Sequence, residues 1–339
     1  MARSIPRLEL SRPQILAFRR RAGALDERLP AGAKSLQRSA WAGLQDSVPR
    51  AALLSIHARV ARTGSANWEH PSLVQLWGPR FSAYVIAAKD LAIFSLGRLP
   101  EDARRRSRAH ETARRLHTFL GGRRMPFGQA GRGMGVAPNS LRYASPTGTV
   151  LLRWDGARQP EVWTVPAPDM DAGLARLKLA RRYLHVFGPA TAATFARWAG
   201  IGVVEANSAF AALAEMTPAR TPIGDAWILA GDEERFRSQP GPAAAARLLP
   251  SGDAYFLLWG ADRQILVADA KRRSELWTSR VWPGALLVGG EIAGTWRRAG
   301  ADVAIDAWRR FSRAEREAVE AEATSLPLGL TNPITVRWS

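Results

Sequence analysis

Cysteine is absent from this sequence of 339 residues. Its absence excludes disulfide bonds, thiol nucleophiles and zinc sites built on thiolates. No uninterrupted apolar run approaches the roughly 18 to 20 residues that a membrane-spanning helix needs, and the basic N-terminus lacks the apolar core of a signal peptide. The sequence therefore predicts a cytoplasmic protein that does not enter a membrane.

Lysine and acidic residues are scarce. Only four of the 48 basic residues are lysine and there are 30 acidic residues, so the net charge is +18 and the pI about 11.4. Such a surplus attracts polyanions, and arginine binds phosphate and guanine with paired hydrogen bonds. A GC-rich genome accounts for arginine in place of lysine, but not for the surplus over acid. We expect a nucleic acid as the partner and, without a heptad pattern, a monomer.

The five histidines lack a metal-binding pattern. None lies in a His-Glu-x-x-His arrangement, and His110 and His117, two helical turns apart, are typical of a solvated helix face. Gly131, Gly133 and Gly135 do not form a dinucleotide fingerprint, because no predicted strand precedes them and no predicted helix follows. We expect neither a metal ion nor a cofactor.

The periodicity of the first half predicts two helix-plus-hairpin units. Helical patterns cover 9–24 and 48–62, and two alternating segments within 72–88 turn at Gly78-Pro79. The elements predicted to follow are an arginine-rich helix over 102–120, a glycine-rich flexible loop over 121–139, and strands within 141–165 with a hairpin turn at Asp155-Gly156. Helices followed by a hairpin is the order of elements in a winged-helix unit.

The second half predicts a third unit and a β-rich end. The third unit has helices over 169–186, 190–199 and 203–215 and a strand over 225–230, followed by a linker over 239–246. The last part has strands over 255–260, 264–269, 285–290, 291–298, 302–308 and 334–338, and one helix over 312–325. The predicted fold class is α+β, with tandem winged-helix units at 1–98, 99–167 and 168–242 around a basic concave surface, and a small C-terminal barrel-like domain at 243–339.

A polar cluster stands at a loop-to-helix junction. Gln45, Asp46 and Ser47 come just before Pro49 and an apolar pattern of helical spacing. In one interpretation Asp46 or Ser47 only caps the helix, because such residues are favoured there. In the other, the cluster is catalytic.

The segment around this cluster resembles the signature of the winged-helix DNA glycosylases typified by AlkZ and YcaQ. Gly43-Leu44-Gln45 matches its start, Ala58-Arg59 matches its end, and Ser47 stands where the family has Gln or Asp. Further matching patches are Arg80 and Asp90, Arg182-Tyr183-Leu184, Gly188-Pro189, Trp198, Pro283-Gly284-Ala285 and Gly294-Thr295-Trp296-Arg297.

The resemblance implies a monofunctional DNA glycosylase that excises alkylated bases in base excision or crosslink repair. By position, Gln45 orients the attacking water, and the leaving base is already cationic, so little acid catalysis is required. Asp46 stabilises the developing positive charge if it faces the site, and cannot do so if it caps the helix. Ser47 can hydrogen-bond water but is shorter than Gln or Asp. We expect these three residues to be catalytic.

Arginines near the junction and in the second unit are the candidate DNA contacts. They are Arg50, Arg59, Arg62, Arg80, Arg104, Arg105, Arg108, Arg123, Arg124 and Arg132. Trp41, Trp68, Trp77 and Phe81 are candidates for stacking on a base, although aromatics at such spacings more often belong to a core. The alternative to an enzyme is a noncatalytic winged-helix protein that binds DNA or a lesion. A ligand-sensing module has no supporting fingerprint.

Overall fold

The computed structural model describes residues 7–156 and 158–339 and has the expected α+β class. Residues 1–6, part of the basic N-terminus, and residue 157, within the predicted second hairpin, lie outside the described residues. The helices are α1 Arg12–Ala22, α2 Ala33–Ser39, α3 Ala51–Arg59, α4 Leu91–Ser95, α5 Ala103–Leu120, α6 Phe127–Gly133, α7 Ala172–Phe187, α8 Ala192–Ala199, α9 Val203–Ala211, α10 Glu233–Arg237, α11 Asp262–Leu266, α12 Ala270–Leu276 and α13 Arg313–Thr324. Among the described residues, none of these helices has the length and apolar character to cross a membrane.

The strands form three sheets in the described part of the chain. They are β1 Leu8–Glu9, β2 Leu44–Gln45, β3 Leu73–Trp77, β4 Ala83–Ala87, β5 Met125–Pro126, β6 Val150–Arg153, β7 Glu161–Thr164, β8 Met216–Thr221, β9 Gly224–Leu229, β10 Ala246–Leu249, β11 Gly284–Val288, β12 Glu291–Ala299, β13 Asp302–Ala307 and β14 Thr335–Trp338. The orders are β1-β8-β9, β10-β11-β12-β13-β14 and β2-β4-β3-β6-β7-β5.

The six-stranded sheet positions the polar cluster. Its two hairpins are β3–β4 and β6–β7, and one pairing, Gln75 with Leu152, joins them. On the other side β4 pairs antiparallel with β2, which sets Gln45 opposite Tyr84. Because directly opposed residues bring their side chains close together, this register turns a sequence junction into a spatial neighbourhood.

Helices α3 and α5 form for different reasons. Helix α3 is buried along its whole length, with Ala52, Leu53 and Ile56 in one apolar cluster. Helix α5 is amphipathic and buries Ala109, Ala113, Leu116 and Leu120, at the spacing of one helical face. Its other face carries most of the arginines, so this helix presents positive charge to solvent.

The prediction of a flexible loop over 121–139 is wrong. Met125 and Pro126 pair with β7, and α6 follows directly. Ala130 and Met134 then pack in the same apolar cluster as Leu116 and Leu120 of α5. The few apolar residues of a glycine-rich segment were enough to hold it against α5. Residues 138–147 form 3-10 turns, although strands were expected from residue 141 onward.

In the C-terminal part, two predicted strands are wrong and one strand was missed. Residues 255–260 are irregular but contain the buried side chains of Phe256, Leu257 and Leu258, and α11 covers the first half of 264–269. A short apolar run has the same pattern in a buried loop, a helix or a strand, which explains the error. The strand that was missed is β10, which begins at the last residue of the predicted linker. The predictions of β11 to β14, of α13 and of the β6–β7 hairpin are confirmed.

Candidate active site

The amide of Gln45 is held in one orientation. Its Oε1 accepts a hydrogen bond of 2.9 Å from Arg80 Nη2 and a longer one of 3.4 Å from the Tyr84 hydroxyl. Its Nε2 donates to Ser47 Oγ. Because Arg80 can only donate, the amide oxygen must face it and the NH2 group must face Ser47. Gln45 is half-buried and Ser47 is exposed, so the NH2 group of this amide points to a residue at the protein surface.

Arg80 is itself fixed by its surroundings. Its backbone has a φ of 54°, in the left-handed region, and its guanidinium carbon lies 4.2 Å from the ring centre of Trp259, a cation–π contact. Its Nη1 is buried and makes no hydrogen bond within the ranges described. The same guanidinium therefore orients Gln45 and keeps one donor unused.

Residues 250–260, distant in the chain, close over this amide. Gly252 has a φ of 79°, and a Cβ there would lie 3.1 Å from Gln45 Nε2, so both the backbone conformation and the close approach require glycine. The neighbouring Asp253 is completely buried and accepts two hydrogen bonds of 2.7 Å from Arg59. The Arg59–Asp253 ion pair thus anchors the segment that covers Gln45.

Asp46 points away from the amide and caps helix α3. Its Oδ1 accepts from the Ala52 N–H at 2.9 Å and its Oδ2 accepts from Gln75 Nε2 at 2.6 Å. Gln75 in turn accepts from the Trp154 N–H at 2.6 Å. Burial raises the pKa of Asp46 to about 6, although the Ala52 hydrogen bond, the charge of Arg50 and the Gln75 hydrogen bond oppose the rise. Of the two roles considered for Asp46, these contacts favour capping.

Comparisons with known proteins identify the family of the chain. Residues 39–327 match the family described as DNA glycosylase AlkZ-like. The chain belongs to the AlkZ-like DNA glycosylase family. The solved structure of DNA glycosylase AlkZ from Streptomyces sahachiroi superposes with a TM-score of 0.79 over 98% of this chain and 100% of that chain, at 17% sequence identity. At that identity the superposition shows a shared fold. No curated protein sequence matches the chain.

The predicted DNA contact at Arg59 is wrong for this AlkZ-like protein. Its side chain is buried and bonded to Asp253 and to the Ser55 carbonyl, so it has no donor facing solvent for a phosphate. Arg50 is half-buried, with its guanidinium 5.0 Å from the ring centre of Trp68. Arg62 is exposed. Only Arg80, of the four arginines predicted near the junction, touches Gln45.

The six other predicted contacts are exposed and lie on or after α5. They are Arg104, Arg105, Arg108, Arg123, Arg124 and Arg132. Arg123 donates to the Leu120 carbonyl, and Arg124 lies over the ring of Trp163 at 4.2 Å. Arg132 borders a hollow of about 540 Å³ together with Arg153 and Arg158. The structure brings Arg105 and Arg108 together at a second cavity.

Sequence reasoning missed Tyr84, Gln75, Gly252 and Trp259. The pairing of β2 with β4 is the one signal that points to Tyr84, and it needs a two-residue strand that no periodicity reveals. Gly252 and Trp259 are more than 200 positions from Gln45, and no local pattern marks them. Trp68 and Trp77, predicted as possible base-stacking residues, are buried.

We expect Arg80→Lys to lower the rate of base release about ten-fold. Lysine carries the charge but lacks the planar guanidinium that contacts the Gln45 oxygen and the Trp259 ring at the same time. Losing a hydrogen bond from a charged donor costs about 1.5–3 kcal/mol. Single-turnover kinetics on alkylated duplex DNA would measure kcat separately from KM. Arg220→Lys, at an exposed ion pair with Asp225, is the control. A raised KM with unchanged kcat would mean that Arg80 only binds phosphate.

We expect the protonation of Asp46 to make the stability of the protein decrease as pH rises. Its pKa of about 6 in the folded state exceeds the ordinary value of 3.8, so the folded state retains a proton that the unfolded state has lost. The free energy of unfolding should therefore fall by about 2 kcal/mol as pH rises from about 4 to 6, out of about 3 kcal/mol for the whole difference between the two pKa values. Denaturant titrations of wild type and Asp46→Asn across this range measure it. A difference between the two that is independent of pH would contradict the prediction.

Proposed function

We propose that this protein is a monofunctional DNA glycosylase that hydrolyses the N-glycosidic bond of alkylated bases in duplex DNA. The proposal depends chiefly on one observation: the Gln45 amide, at the family's motif position, is oriented by Arg80 and directs its NH2 group at the exposed Ser47. An alkylated purine is a cationic leaving group. The reaction then needs a positioned water more than a strong acid.

In the proposed reaction, Gln45 and Ser47 hold the attacking water. The second N–H of Gln45 Nε2 donates to the water oxygen, and the water donates to Ser47 Oγ, which has a lone pair to spare. The water oxygen bonds to C1′ as the C1′–N bond breaks, and the base leaves with the electron pair of that bond. One water proton passes to solvent. Asp46 acts as a positioning residue in this scheme, because its carboxylate caps the helix that follows the motif.

The proposed DNA grip uses the exposed arginines in a basic concave surface formed by winged-helix units. No carboxylate in the described part of the chain pairs with Arg62 or, on α5, with Arg104, Arg105 and Arg108. Each phosphate that they neutralise releases counterions, so affinity should fall steeply with salt. We propose that the protein acts as a monomer on double-stranded DNA in the nucleoid, and that the residues from 243 onward cover the reacting amide.

The test is release of free base from alkylated duplex DNA under single-turnover conditions. The expected result is chromatographic release of an alkylated purine with an abasic site left in the strand, without strand cleavage. Binding is measured in parallel, at several salt concentrations. Tight, salt-dependent binding without any released base would overturn the enzymatic proposal.

A noncatalytic DNA-binding or lesion-binding protein is the second candidate. Ser47 favours it, because the family has a longer Gln or Asp at that position, and so does the capping role of Asp46. Ser47→Gln distinguishes the two candidates. If the protein is an enzyme limited by its short serine, the variant should release base faster than wild type; a noncatalytic protein should release none in either form.

A further inference from the structure

We propose that the cavity between α5 and residues 134–146 is a binding site for an unpaired nucleotide of the DNA strand, next to the nucleotide presented to Gln45. This deepens the proposed function and rests on it. The cavity measures about 600 Å³, within the range of small-ligand pockets. Its wall includes Phe81, Arg98, Arg105, Arg108 and Tyr143. We call it the Tyr143 cavity.

An exposed aromatic ring stands at this cavity. Tyr143 is 58% exposed, and its ring meets Phe81 at 4.9 Å and 72°, edge to face. One ring partner therefore contacts it while more than half of the residue stays exposed. A large exposed ring without a covering residue is unusual in a core-forming segment, and a nucleobase stacks on such a face whatever its identity.

The floor of the cavity has an uncompensated positive charge. Arg98 is buried, and its Nε and Nη1 donate to the carbonyls of Ala199 and Trp77, but its Nη2 has no acceptor in the ranges described. No carboxylate contacts it there, and burial lowers its pKa to about 9. This charge beside the cavity would attract an anionic group that enters it, because no carboxylate within the described ranges neutralises it.

The rim of the cavity adds cations suited to phosphate. The side chains of Arg105 and Arg108 are exposed and form no ion pair with any described residue. Glu111 also borders the cavity, but Arg114 holds its carboxylate with three hydrogen bonds. Arg115 donates to the Met134 carbonyl. The combination of a stacking ring with unpaired arginines is that of sites that bind single-stranded nucleic acid.

The chain itself connects this cavity to Gln45. Arg80 and Phe81 are consecutive and both have positive φ, 54° and 57°. The turn directs the Arg80 guanidinium to the Gln45 oxygen and the Phe81 ring to Tyr143. Two sites contacted by consecutive residues of the protein suit two neighbouring nucleotides of one strand. A base must leave its pair to present a face to Tyr143, so the cavity would stabilise locally opened DNA near the lesion.

The test compares a fully paired duplex with the same duplex carrying a one-nucleotide 2-aminopurine bulge. By fluorescence anisotropy, Tyr143→Ala should weaken binding of the bulged duplex about ten-fold and of the paired duplex less than two-fold, and it should abolish the change in 2-aminopurine emission on binding. Tyr143→Phe, which keeps the ring, should retain both. Trp227→Ala, at a 39% exposed aromatic of β9, is the control.

Two results would overturn the inference. One is an unchanged affinity and emission signal in Tyr143→Ala, and the other is equal weakening of both duplexes, which would indicate a general backbone contact. Base release measured on the same variants separates this inference from the proposed function. Wild type that binds the bulge through Tyr143 but releases no base would uphold the cavity and overturn the glycosylase. If wild type releases base and Tyr143→Ala binds the bulged duplex as wild type does, the glycosylase proposal is upheld and the cavity proposal is overturned.

Discussion

Gln45→Ala is expected to lower the rate of base release by two to three orders of magnitude and to leave duplex affinity within two-fold. The side chain is held by Arg80, Tyr84 and Ser47, with its NH2 group directed at Ser47, so its loss removes a group that would position the water. Preorganised hydrogen-bond donors in active sites contribute about 10²- to 10³-fold each. Single-turnover release and anisotropy on the same duplex measure the two effects separately.

The control for this change is Gln264→Ala, which makes the same truncation at an exposed position in α11. It should leave both rate and affinity unchanged. If Gln45→Ala released base at the wild-type rate, another group would have to hold the water. If it lost rate and affinity together, Gln45 would be a DNA contact and not the orienting residue.

Arg59→Met is expected to lower the free energy of unfolding by about 3–5 kcal/mol, the usual effect of removing one partner from a buried ion pair. Burial alone would raise the pKa of Asp253, but the charge and hydrogen bonds of Arg59 hold it below its usual value. Without Arg59, the Ser55 hydroxyl and the Tyr255 N–H remain as its donors. Methionine keeps much of the length of the side chain, so the lost charge dominates the effect.

Denaturant unfolding measures this change, and Arg220→Met is the matched control. Arg220 pairs with Asp225 at an exposed position, where the same substitution should alter stability by no more than about 1 kcal/mol. Adding Asp253→Leu to Arg59→Met should recover part of the loss, because it removes the unpaired buried carboxylate. An Arg59→Met protein of wild-type stability that had lost affinity for DNA would restore Arg59 as a DNA contact.

Local patterns predicted the elements whose residues alternate or repeat along the chain. The arginine-rich helix α5, the β3–β4 and β6–β7 hairpins, α13 and the strands β11 to β14 were all evident from periodicity and turn residues. The errors at 121–139 and 255–260 fell where burial against distant residues decided the conformation. Such burial has no signature in a short window of sequence.

The sequence by itself determined the absence of thiol chemistry, the excess of arginine and the junction at which Gln45 stands. Tertiary structure alone decided which of the neighbouring polar groups face the amide. It turned Arg59 inward to Asp253, used Asp46 as a cap, and brought Gly252 and Trp259 over Gln45 and Arg80. The reason is that side-chain direction at these positions depends on contacts between segments about 200 residues apart, and a linear pattern contains no information about them.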